Sequence, residues 1–135
     1  MESKLKHLEM IQGVINRLAN NSFLLKGWGV TLAAAVVALD AGKGHVLMAL
    51  LPILAFWILD AYFLWNEKLF RELYNDVRRK SESQIDFSMS IDAYKQTIKG
   101  PLRWMFSDTL FVFWGTLTAV LIVIVLATHH IPVAN

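Results

Sequence analysis

The sequence contains no cysteine, which excludes a disulfide framework, a thiolate nucleophile and any cysteine-based metal site. Charge is scarce too. Only 18% of the 135 residues are Asp, Glu, Lys or Arg, against about 25% in an ordinary soluble domain. No Ser-His-Asp arrangement and no Gly-rich phosphate loop occurs. His129 and His130 are adjacent rather than at the helical spacing a metal site needs. Catalytic residues, a metal and a cofactor are therefore not expected, nor is an enzyme. There is also no internal repeat. What remains is apolar, 56% of the chain, gathered into long blocks separated by polar segments, the pattern of a polytopic α-helical membrane protein in one domain.

Residues 4–20, "KLKHLEMIQGVINRLAN", place Leu5, Leu8, Ile11, Ile15 and Leu18 three to four apart, one apolar stripe on an amphipathic helix. Such a helix lies on a membrane surface or packs against a partner. "NNS" at 20–22 offers cap residues before the next helix. The first expected span is 23–39 and the second 46–65, bent at Pro52 and continuing as a helix to residue 80. A polar turn, 40–45, joins them. A polar connection and a short helix over 91–98 lead to Gly100-Pro101 and a third span over 103–127, followed by a short tail.

With three spans, one side holds the N-terminus and residues 66–103. That side carries 12 of the 13 Lys and Arg, counting Lys26 and Arg103 at its border, and the other carries only Lys43. The positive-inside rule puts the N-terminus in the cytoplasm and the C-terminus outside. Trp28, Trp65 and Trp104 suit an aromatic belt on the cytoplasmic side, while the deeper Trp57 and Trp114 suit packing.

Counted from that border, Lys26, Asp60 and Asp108 all lie about 5–8 Å deep at 1.5 Å per residue. They form one polar layer contributed by three spans. An unpaired charge there is costly, so the layer faces the bundle and pairs. Lys26 can neutralise one carboxylate; the other needs a proton, a hydrogen bond from Ser107, Thr109 or Tyr62, or a partner subunit. The layer reads either as an ion pair that fixes helix register or as the lining of an ion path or gate.

Gly27, Thr31 and Ala35 give the first span a small-residue face, repeated by Gly115 and Ala119 in the third. Such faces permit close helix packing. Among the basic residues, Arg78, Arg79 and Lys80 are consecutive, and Lys95, Lys99 and Arg103 recur every four residues. They suit anionic lipid headgroups. Repeated around a symmetric oligomer, they form a positive basin for phosphate-bearing ligands.

"IQGVINRLANNSFLLKGWGVTL" followed by "FWILDAYFLWNEKLFRELYNDVR" resembles small bacterial multi-span membrane proteins associated with antiphage defence loci. The resemblance covers roughly the first 80 residues, with Asn20, Asn21, Lys26, Trp28, Asp60 and Tyr62 as matching positions. It implies an effector that oligomerises and disturbs the membrane, in some cases after sensing a nucleotide signal. The expected function is therefore an oligomeric channel or pore-forming effector, opened by a nucleotide or oligonucleotide at a basic cytoplasmic vestibule. Its rival is a non-conducting anchor or scaffold that docks a cytoplasmic partner protein. A small proton-coupled transporter fits less well, because three spans leave little room for an alternating site.

Overall fold

The computed structural model describes residues 1–39 and 45–130, with side chains over 1–39 and 47–127. Residues 40–44 of the expected turn at 40–45, with Lys43, and the end of the tail fall outside the described residues, as do the side chains of His129 and His130. The described residues are mostly helical, with no strand among them. Three helices are long and apolar enough to cross a membrane.

Helix α1 runs unbroken over Glu2–Leu39, so the amphipathic helix and the first apolar block are one element. "NNS" does not interrupt it. Asn and Ser are mediocre helix formers but not breakers, and the helix packs on both sides of them. Ser22 also spends its hydroxyl on a tertiary contact, described below, rather than on a cap. One stripe of α1 turns inward throughout: His7, Ile11, Ile15, Gly29 and Ala33 are buried. At 1.5 Å per residue this helix is about 57 Å long, nearly twice a hydrocarbon core.

Antiparallel to α1 stands α2, Leu50–Arg79, preceded by a 3-10 turn over His45–Ala49. Pro52 lies in the first turn of α2, where a helix leaves the N–H unpaired in any case. The proline expected to bend the span, Pro52, therefore costs α2 no backbone hydrogen bond. The C-terminal carbonyls of α2 are met by Lys4, whose Nζ donates to the carbonyls of Arg78 at 3.0 Å and Lys80 at 2.6 Å.

The expected helix over 91–98 is also absent. A 3-10 turn covers Asp92–Tyr94, and irregular turns follow. An eight-residue helix has little stability of its own. Here Ile85, Met89, Ile91 and Tyr94 pack instead onto Ile11, Ile15, Leu73 and Val77 of α1 and α2. These residues form a second apolar cluster at the end of the bundle that holds the N-terminus, called the basic end below. Phe87, at φ 54°, sets its ring edge-on to buried His7, with centroids 5.6 Å apart.

The third apolar block is split. One turn, α3, covers Pro101–Trp104, and α4 covers Asp108–His130. Between them, Phe106 N–H bonds Arg103 O and Ser107 N–H bonds Trp104 O, three residues back. The carbonyl of Met105 takes the Trp57 Nε1 hydrogen at 2.9 Å. In the main core, Leu110, Trp114 and Leu121 of α4 meet Ala33, Ala49, Ile53 and Ala61.

Candidate functional site

Between the two apolar clusters lies a charged seam. Asp60 is fully buried on α2, and its Oδ2 stands 2.5 Å from Lys26 Nζ of α1. Lys26 also donates to Ser22 Oγ at 2.8 Å, and Ser22 Oγ donates to Asp60 Oδ1. From α4, Trp114 Nε1 donates to Asp60 Oδ2 at 2.8 Å. One carboxylate thus ties together all three long helices. A buried ion pair is tolerated only where further hydrogen bonds satisfy its remaining lone pairs, and Ser22 and Trp114 supply them.

Ser22 and Trp114 were expected to cap and to pack, respectively, and the seam needs both as donors. Asp108 does not join them. It is exposed in the first turn of α4, where its charge complements the helix dipole instead. Of the proposed donors, Tyr62 is 48% exposed, Thr109 is exposed, and the buried Ser107 Oγ finds no partner. The sealed carboxylate cannot line an open path inside one protomer.

The basic residues are not gathered into one basin by the protomer. Arg78 and Arg79 are exposed at the end of α2. Lys80 is paired with Asp76 at 2.7 Å and Lys95 with Asp92 at 2.6 Å. The Lys95 ammonium holds the Asp92 carboxyl below the usual carboxylate range, and the N-terminal ammonium does the same to Glu82. Lys99 and Arg103 stand elsewhere, in a cleft of about 480 Å³ shared with Lys68 and Arg71 of α2. A second cleft, about 430 Å³, has mixed charge: Asp76, Lys80, Asp86 and Tyr94 line it. Burial first, and then the hydrogen bond it donates to Asp76 at 2.8 Å, pushes the Tyr94 phenol up to about 12.

The small residues divide by face. Gly29, outside the expected set, carries the closest approach: a Cβ there would stand 2.6 Å from the Trp114 ring. Gly27, Thr31 and Ala35 point away from the protomer core and are exposed, and a Cβ on Gly27 would meet nothing within 4 Å. Thr31 returns its hydroxyl hydrogen to the Gly27 carbonyl at 2.9 Å, so that donor is satisfied within the helix. Gly115 is half-buried with no neighbour within 4 Å of a Cβ, and Ala119 is exposed. Asn20, Asn21, Trp28 and Tyr62 also stand on the outside. Among the described residues, no group of His, Asp and Glu could hold a metal ion. Set against known protein families, curated proteins and solved structures, the chain has no match in any of the three.

Proposed function

We propose that this chain is a bacterial inner-membrane protein, N-terminus in the cytoplasm, that assembles into a homo-oligomeric channel or pore-forming effector of the antiphage type. An anionic ligand at the cytoplasmic side opens it. The three apolar helices, the bias of Lys and Arg to one end and the resemblance of the first 80 residues support this reading. The observation that carries it is the divided use of α1. Gly29 and Ala33 are consumed by the protomer core, while Gly27, Thr31 and Ala35 on the other face are left uncovered. Close approach of a second helix in lipid favours such a face. Because Asp60 is sealed inside the protomer, the conducting path runs between protomers, and the Lys26–Asp60 pair fixes the bundle rather than lining the pore.

A second reading, the non-conducting anchor, draws on the basic end. There Leu5 and Met10 of α1 are each more than half exposed, apolar surface on two sides of the helix that a cytoplasmic partner protein could cover. Conductance decides between the two. Purified protein in planar bilayers should give discrete current steps in the presence of nucleotides, and should migrate as an oligomer. A monomer that stays silent with every nucleotide and at every salt concentration is an anchor.

A further inference from the structure

We propose that the cleft between α2 and the chain entering α3 binds a phosphate group, carried by a phosphomonoester or by a lipid headgroup. Four cations line it, Lys68, Arg71, Lys99 and Arg103, against one carboxylate, Glu72. Arg71 is already held by Glu67, with Nε at 2.9 Å and Nη2 at 2.7 Å from the same oxygen. Lys68, Lys99 and Arg103 have no ion pair among the described residues, unlike Lys80 and Lys95. Like charges converging from two chain segments repel one another unless a counter-charge sits between them.

Trp104 organises the three. Its Nε1 donates to the carbonyl of Lys99 at 3.0 Å, which fixes the backbone that carries one cation. The Lys68 ammonium lies 5.8 Å from the centroid of its ring. Arg103 is its chain neighbour, in the single turn of α3. The cleft is roomier than a bare phosphate, and Asn75 and Thr97 supply neutral donors at its wall. It therefore suits a phosphate with an attached glycerol- or ribose-sized group. The cleft also adjoins the start of the third apolar block, at the depth where headgroups lie if the helices span a membrane.

This inference names the ligand class for the anion-opened channel and rests on that reading for the link to opening, but binding is measurable without current. The full chain, purified in neutral detergent, is examined by native mass spectrometry with phosphatidic acid or phosphatidylcholine. In parallel, the chain in phosphatidylcholine nanodiscs is dialysed against adenosine monophosphate. We expect a clear preference for phosphatidic acid, or saturable nucleotide binding, either of which falls by about tenfold or more in Lys99→Gln/Arg103→Gln. Arg78→Gln/Arg79→Gln, which removes equal charge from the exposed end of α2, should retain it. A positive lipid arm alone assigns a headgroup, and a positive nucleotide arm alone assigns a soluble ligand. Two positive arms assign the phosphate itself. Two negative arms, or equal losses in both double variants, overturn the site. Intact binding with silent bilayers would sink the channel and leave the cleft standing.

Discussion

The indole N–H of Trp114 ends 2.8 Å from the carboxylate of Asp60, on the same oxygen that Lys26 holds at 2.5 Å. Helix α4 is thereby fixed to the α1–α2 pair by one directional bond inside an otherwise apolar core. Apolar packing sets no helix rotation sharply, and a shared carboxylate does.

Removing one member of this seam should therefore cost more than removing two. Lys26→Met strands a buried carboxylate, a change that in other proteins costs about 3–5 kcal/mol. Lys26→Met/Asp60→Asn leaves no charge behind and should recover much of that loss. Thermal unfolding of the three proteins in detergent checks this, and additive losses would mean that the two side chains do not interact. Trp114→Phe, which removes the bond to a charged group and also leaves a cavity in the core, should cost at least about 1.5–3 kcal/mol.

Much of this was legible in the sequence, and the failures have a common cause. The three apolar blocks follow from hydropathy, and depth pairs Lys26 with a carboxylate without choosing between Asp60 and Asp108. Depth, however, gives height and not direction. Asp108 shares the height of Asp60 but lies two residues from Leu110, about 200° round the helix from the buried face of α4. The same rotation separates Gly27, outside, from Gly29, inside. Counting angle as well as depth could have found both. The splits were less accessible: the Met105 carbonyl at the break over 105–107 is met by Trp57, 48 residues earlier, and Ser22 within α1 is met by Asp60, 38 residues later, contacts that no local pattern shows.

Orientation is tested by reporter fusion. A reporter active only outside the cytoplasm should work after Asn135 and fail near Ser83. The reverse pattern would move the basic cleft, and its ligand, to the other side of the membrane.

The phenol of Tyr94 provides a pH signature at the basic end. Its pKa in the fold, about 12, exceeds the ordinary 10.0 because burial and the bond to Asp76 favour the protonated form. The stabilisation is complete below pH 10 and is lost as pH rises from there toward 12. Protection from hydrogen exchange over residues 85–94, taken relative to the base-catalysed intrinsic rate at each pH, should fall across that window in the wild type, while Tyr94→Phe should already lack it below the window. Identical profiles would show that the bond to Asp76 does not hold the segment.

The two faces of α1 make opposite predictions for two glycines two residues apart. Gly29→Ala drives a methyl to within 2.6 Å of the Trp114 ring, which is itself fully buried and cannot swing aside. Overpacking of this kind costs about 1–3 kcal/mol, so the protomer should melt earlier. Gly27→Leu meets empty space in the protomer, and its intrinsic stability should hold. If Gly27, Thr31 and Ala35 face a second copy, the same leucine holds the two helices apart and the oligomer should dissociate. Native mass spectrometry reads the subunit number and thermal unfolding the protomer. A Gly27→Leu protein that keeps its subunit number excludes this face from the assembly, and the path between protomers must then be sought along Gly115 and Ala119.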